Sequence, residues 1–111
     1  MDKFLELLRF QIENANIYAN QEFRLDVFTR SRGIHQIRFD LGLENPDHLF
    51  ANRGNSMHYV FDARDGEQVF RFRLAVSSRS ESNQSGVLRI RASNSVPPPP
   101  PLTLRFELFN Q

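Results

Sequence analysis

The chain has 111 residues, a formal net charge of +1 and no cysteine. The length suits a single domain covering residues 1–111, and the near-zero charge argues against strong non-specific polyanion binding. Without cysteine there is no disulfide, thiolate nucleophile or Cys-ligated zinc. The sequence has no run approaching the ~20 apolar residues of a membrane span, and its first residues lack the apolar core of a secretory signal. We therefore expect a cytoplasmic protein with no membrane contact.

Residues 2–19 are predicted to form a helix. Most of their apolar side chains fall on one broad stripe at 3.6-residue spacing, with Asp2 placed to cap the start. Asn20 can close the end in the left-handed conformation. Phe10 and Ile17 lie off that stripe. A helix lying on a sheet needs one apolar face, so this second patch suggests a second neighbour.

The rest of the chain alternates apolar and polar residues with a period of two, which is typical of strands with one buried face. This pattern predicts six strands, at about residues 22–30, 34–43, 57–64, 67–76, 87–92 and 102–109. The expected fold class is α+β, with the N-terminal helix packed on one face of a roughly six-stranded antiparallel meander sheet.

The first two predicted strands should pair across a turn at Gly33. If Val27 faces Ile37, the apolar residues of both strands meet on one face. The same register places Arg24 opposite Asp40 on the other face. One register therefore satisfies both faces, which favours this pairing.

A second hairpin is predicted at the Asp-Gly pair of residues 65–66, which lies between two alternating runs. Asp-Gly in this position is the strongest short-range hairpin signal. A two-residue turn pairs Phe61 with Phe70 and Tyr59 with Phe72, and it requires a positive φ at the glycine.

Two stretches between strands are distinct in composition. Residues 77–86 are half serine and predict a flexible loop. Residues 97–101 are five consecutive prolines, which form a stiff polyproline II rod of about 15 Å. Residues 96–102 resemble ligands of polyproline-binding domains such as profilin, SH3 or EVH1 modules. Because a strand follows directly, a rigid connection that carries the last strand away from the preceding one is the favoured interpretation.

The sequence contains no recognisable catalytic or cofactor motif, since it lacks a nucleophile elbow, a P-loop and a dinucleotide fingerprint. Its histidines are His35, His48 and His58. His58 and Asp62 share one strand face, but two ligands at this spacing are a weak metal signal. We therefore predict no catalytic residue, no metal and no cofactor, and an enzyme of unrecognised type is the third hypothesis for function.

Arginines recur on the polar face of the predicted sheet. If Leu74 aligns with Leu88, then Arg73 lies opposite Arg89, and opposed like charges cost stability unless something offsets them. A bound phosphate or acidic partner would do so. The candidate anion or nucleic-acid site comprises Arg71, Arg73, Arg89, Arg91, His58 and Arg105. The alternative is a solvated face over which the arginine stems lie.

The leading hypothesis is a small, non-catalytic interaction module that self-associates into a homo-oligomer. It depends on apolar side chains that the predicted sheet need not cover. Phe10 and Ile17 lie on the second face of the helix, and Phe28 and Phe109 break the alternation of their strands. The alternative is an anion binder whose partner is an acidic protein or a single-stranded nucleic acid.

Overall fold

The structure is a computed structural model that describes residues 2–14, 16–94 and 96–110. These residues form ten β-strands. In chain order they are β1 (Phe4–Ile12), β2 (Asn16–Tyr18), β3 (Phe23–Arg32), β4 (Gln36–Leu43), β5 (His48–Phe50), β6 (Ser56–Asp62), β7 (Gly66–Leu74), β8 (Val76–Ser78), β9 (Gln84–Ser93) and β10 (Leu102–Phe109). Within the described ranges there is no helix that could cross a membrane.

The strands form two main sheets and a short ribbon. Sheet A is antiparallel and has three strands in the order β1-β3-β7. Sheet B has five strands in the order β2-β10-β9-β4-β6, in which β2 runs parallel to β10 and the other pairs are antiparallel. The ribbon pairs β5 with β8. The α+β prediction, with one six-stranded meander, is therefore wrong, and the described chain is all-β.

The two sheets face each other across a core rich in phenylalanine. Phe39 of β4 contacts Phe70 and Phe72 of β7, with ring centroids 5.1 and 5.3 Å apart. Rings at these distances and tilts attract each other beyond the gain from apolar burial. Along β7 the phenylalanines point inward and the arginines between them are exposed, as the period of two requires. The described chain is thus a β-sandwich.

A β-bulge explains why residues 2–19 resemble a helix in sequence. β1 pairs with β3, and the register shifts between Leu7 and Arg9, so Leu8 is an extra residue. The gap between inward positions is therefore three residues across the bulge and two elsewhere, which imitates helical spacing. The side chains that pack on the core are Leu5, Leu7, Phe10 and Ile12. Asn20 has a left-handed φ of 65°, but it follows β2, and Ala15 lies outside the described residues.

Both predicted hairpins are wrong because the chain changes sheet at each turn. β3 belongs to sheet A and β4 to sheet B, and β6 and β7 are separated in the same way. The predicted aromatic pairs nevertheless meet across the core. Phe61 lies 5.4 Å from Phe70 and Tyr59 lies 5.0 Å from Phe72, measured between ring centroids. Gly66 has the expected positive φ, 100°.

The two compositionally distinct stretches also differ from expectation. The serine-rich residues 77–86 include part of β8 and the start of β9. The side-chain amide of Asn110 also donates to the Ser80 carbonyl, at 3.2 Å. After the prolines, Leu102 pairs with Ile90, so β9 and β10 are direct neighbours. The proline segment therefore does not carry the last strand away from the strand before it.

Candidate functional site

The outer face of sheet A carries an apolar cluster at its centre. Phe28 of β3 is paired with Val69 of β7 on one side and with Arg9 of β1 on the other. Leu8, beside Arg9, lines the same depression as Phe28 and Val69, a shallow cleft of about 670 Å³. Leu8 and Val69 are 41% and 46% exposed, and they are two of three large apolar side chains with high exposure in the described chain. We call Leu8, Phe28 and Val69 the Phe28 cluster.

The bulge in β1 places a cation beside this cluster. Leu8 faces outward because it follows the inward-facing Leu7 in the alternation of the strand. The extra residue keeps Arg9 outward as well, opposite Phe28, and returns Phe10 to the core side. The guanidinium carbon of Arg9 lies 3.7 Å from the centroid of the Phe28 ring. This cation–π contact half-covers the phenylalanine while the neighbouring leucine and valine stay exposed.

Charges of both signs surround the Phe28 cluster. On one side Arg30 lies between Glu6 and Glu67, with its Nε 3.5 Å from Glu6 Oε1. On the other side Arg71 Nε lies 3.6 Å from Asp26 Oδ1. Arg64 also lines the cleft, so together with the arginine over Phe28 the charged side chains around the cluster are four basic and three acidic residues. The surface is therefore apolar at its centre and carries charges of both signs at its rim.

The predicted arginine face is divided between the two sides of the sandwich. β9 pairs with β4 and β10, and β7 pairs with β3, so Arg73 does not meet Arg89 and Arg71 does not meet Arg91. Arg71 and Arg73 lie on the outer face of sheet A. The other four candidates lie on the outer face of sheet B, namely His58, Arg89, Arg91 and Arg105.

Acidic residues already pair with several of these arginines. Arg73 Nη1 lies 3.2 Å from Glu22 Oε1, and Arg89 Nη2 lies 2.5 Å from Glu44 Oε1. The predicted oppositions of Arg73 to Arg89 and of Arg71 to Arg91 are therefore absent, although the register of sheet A pairs Arg73 with Arg24. The acidic partners compete with any external anion. Exposed pairs of this kind contribute little to stability, about 0–1 kcal/mol each.

A notch lies beside the arginines of sheet B. No atom lies within 4 Å of the position that a Cβ of Gly42 would occupy, and the depression there measures about 290 Å³. Arg89 Nε is buried and has no hydrogen-bond partner in the described chain. Residues 2–14, 16–94 and 96–110 provide no ion-pair partner for Arg91. Asp40 and Glu44 also line this Gly42 notch, so its charge is close to balanced.

His58 is hydrogen-bonded to a neighbouring carboxylate. Its Nδ1 is hydrogen-bonded to Asp40 Oδ1, and Arg38 Nε donates to the same oxygen at 3.1 Å. Partial burial by itself would raise the pKa of Asp40, but these two hydrogen bonds outweigh it and hold that pKa below its ordinary value of 3.8. A cluster of three or more potential metal-ligating side chains is not found among the described residues.

The four residues predicted to form an oligomer interface have different environments. Ile17 is 2% exposed and Phe10 packs against the core, because their segments are strands of the sandwich and not a helix. Both belong to the core. Phe28 faces outward in the cluster described above. Phe109 is half-buried against Tyr18, with ring centroids 5.7 Å apart, near the end of sheet B.

Leu8 and Val69 were not singled out by the sequence pattern. Val69 occupies a polar position in the alternation of residues 67–76, so the sequence pattern does predict that its side chain faces outward. Leu8 carries no such signal, because the helical spacing of residues 2–19 groups it with the other leucines on one apolar stripe.

No protein-family model and no curated protein matches this chain. The inference of function therefore depends on the geometry and chemistry of these surfaces.

Proposed function

We propose that this protein is a small, non-catalytic interaction module that self-associates through the outer face of sheet A. The Phe28 cluster is the observation that supports this proposal, because it places Leu8 and Val69 in solvent at the centre of a sheet face. Protein interfaces favour such an arrangement, with aromatic and arginine side chains at the centre and polar groups at the rim. The cysteine-free chain suits the reducing cytoplasm, where we expect it to act.

The presence of both charge signs favours a second copy of this chain as the partner. A two-fold interface uses the same patch on both subunits, so the patch must be complementary to itself. Near the Phe28 cluster the ion pairs Arg30–Glu6 and Arg71–Asp26 lie on opposite sides of the apolar centre. A strongly charged partner would leave half of these groups facing like charge, whereas a second copy offers charges of both signs.

The size of the face predicts a weak complex. Three strands at their usual spacing and nine residues long give a face about 14 Å wide and 30 Å long, on the order of 400 Å² per copy. Stable complexes bury about 800 Å² per partner. We therefore expect reversible dimers with a dissociation constant on the order of 0.1 mM.

Sedimentation from about 10 µM to about 1 mM tests the proposal. Val69→Glu places a charge in the Phe28 cluster and should shift dimers to monomers. Val60→Glu is the matched control, because Val60 is 61% exposed on an edge strand of sheet B and outside the cluster. A wild type that stays monomeric at 1 mM, or equal effects of the two variants, would contradict the proposal.

A small anion is a second candidate ligand, favoured by the buried, unpartnered Nε of Arg89 in the Gly42 notch. Single-stranded nucleic acid has less support, because the arginines do not share one face and base stacking needs exposed aromatic side chains among them. Titration with inorganic phosphate, followed by NMR, should shift resonances at Arg89 and Arg91 in the wild type, and Arg91→Gln should weaken the response. The absence of any response at about 10 mM phosphate would remove this candidate.

A further inference from the structure

The proline segment has a burial period of three. Val96, Pro99 and Leu102 are half-buried, whereas the four prolines between them are exposed. Val96 and Leu102 pack against the core. Side chains return to the same side every two residues in a strand and every 3.6 residues in an α-helix. In a polyproline II helix they return every three residues. One edge of the segment therefore lies on the sandwich and the other two edges face solvent.

The conformation of this segment is restricted by its own sequence. The proline ring holds φ near −65°, and a residue that precedes proline is excluded from the α-helical region. Residues 97–100 meet both conditions, because each is a proline followed by another proline. Such a rod needs little further ordering when a partner binds, so less conformational entropy is lost on association.

The connection between β9 and β10 does not need so long a rod. The two strands are antiparallel neighbours, and such neighbours are commonly joined by two to five residues. The chain leaves β9 at Ser93 and joins β10 only at Leu102. The prolines cannot extend the ladder, since they have no backbone N–H to donate. The connection alone therefore does not account for this exposed segment.

A cation lies beside the end of the rod. Leu102 pairs with Ile90, so Arg91 is adjacent to the point where the prolines join β10. Its guanidinium forms no ion pair with any residue that the structure describes. A partner groove with an acidic side chain at one end would be complementary to this charge.

We propose that residues 97–101 are a preformed polyproline II ligand for a partner protein whose groove is lined with aromatic side chains. In a helix of three residues per turn, Pro97 shares an edge with Pro100, and Pro98 with Pro101. Aromatic-lined grooves recognise such rods by contact with the exposed proline rings. The third edge, at Pro99, holds the rod against the sandwich. This interaction is independent of self-association through sheet A.

The test titrates the unlabelled full-length protein into ¹⁵N-labelled profilin, SH3, WW and EVH1 domains. At least one domain should bind, with chemical-shift changes confined to its aromatic groove. The double variant Pro97→Ala with Pro100→Ala should weaken that binding at least about fivefold, and so should Pro98→Ala with Pro101→Ala. Pro46→Ala is the control, because Pro46 is exposed in the loop after β4 and should leave the affinity unchanged.

A reciprocal titration needs no variant. When the wild-type protein is labelled with ¹⁵N, its shift changes should be confined to the amides that flank the prolines, at Val96 and Leu102, and to the adjacent Arg91, because the prolines themselves have no N–H. The proposal is overturned if none of the four domains binds at about 1 mM, if both double variants bind as tightly as the wild type, or if the shifts map to another surface.

Discussion

Phe61 and Phe70 are ring neighbours, with centroids 5.4 Å apart, although their strands belong to different sheets. Phe61 lies on β6, an edge strand of sheet B, and Phe70 lies on β7, an edge strand of sheet A. The short connection at residues 63–65 passes the chain from one sheet to the other. The contact therefore closes one side of the sandwich, and the edge position of Phe61 leaves its ring half-buried.

Truncation of Phe70 should be among the most damaging changes in the core. Its side chain is 6% exposed and contacts Phe39 and Phe61. Phe70→Ala removes this burial and leaves a cavity, so the free energy of unfolding should fall by about 3–5 kcal/mol in urea denaturation. Phe109→Ala is the comparison, because that half-buried ring contacts Tyr18 and should cost about 1 kcal/mol. Equal losses would contradict the assignment of Phe70 to the core.

Six of the ten strand positions could be predicted from the sequence, but strand partners could not. Each of the six predicted strands overlaps an observed strand, because alternation reports one buried face whatever lies against it. The contact of Phe61 with Phe70 satisfies the same apolar pattern whether the strands pair in one sheet or face each other across a sandwich. Local alternation does not distinguish these two arrangements, so the sequence pattern predicts hairpins within one sheet where the chain changes sheets.

The assignment of residues 4–12 to a strand can be tested with two adjacent leucines. Leu7 packs against the core, whereas Leu8 is exposed. Leu7→Glu buries a charge and should lower the free energy of unfolding by about 2–3 kcal/mol, while Leu8→Glu should change it by less than about 0.5 kcal/mol. Urea denaturation of both variants measures the difference. A helix with both leucines on its apolar stripe would make the two losses similar.

The bulge in β1 limited what could be predicted of the candidate site. Phe28 could be found from sequence, because it occupies a polar position in its strand. Its neighbour Leu8 could not, since the helical spacing that the bulge imitates places Leu8 on the apolar stripe of the predicted helix. The split of Arg71 and Arg89 onto opposite faces likewise followed from strand partners, which the pattern left open.

Two glycines on neighbouring strands of sheet B should respond oppositely to alanine, Gly86 on β9 and Gly42 on β4. A Cβ at Gly86 would lie 2.7 Å from Phe106 Cε2 and 2.8 Å from His48 Nδ1, and both rings are buried. Gly86→Ala should therefore destabilise the protein by about 1–3 kcal/mol through overpacking. Gly42→Ala meets open space and should leave stability unchanged or raise it by about 0.5 kcal/mol. Thermal unfolding of both variants measures the contrast, and equal shifts would contradict the close packing at Gly86.

Buried His48 should make stability depend on pH. Its ring is fully buried, Nε2 lies 3.1 Å from Gln84 Oε1, and Nδ1 has no partner in the described chain. Burial lowers the pKa of His48 below 6.5, against the smaller opposing effects of Gln84 and Asp47. The unfolded chain therefore takes up this proton first as pH falls.

The free energy of unfolding should thus decrease as pH falls below about 6.5, and the decrease should continue until the lowered pKa of the folded state is reached. Urea denaturation at several values between pH 7 and pH 5 measures this slope. His48→Phe removes the titrating group and should flatten the slope, whatever its effect on absolute stability. His35→Gln alters an exposed histidine and should retain it. An equally steep slope in His48→Phe would show that another group causes the acid sensitivity.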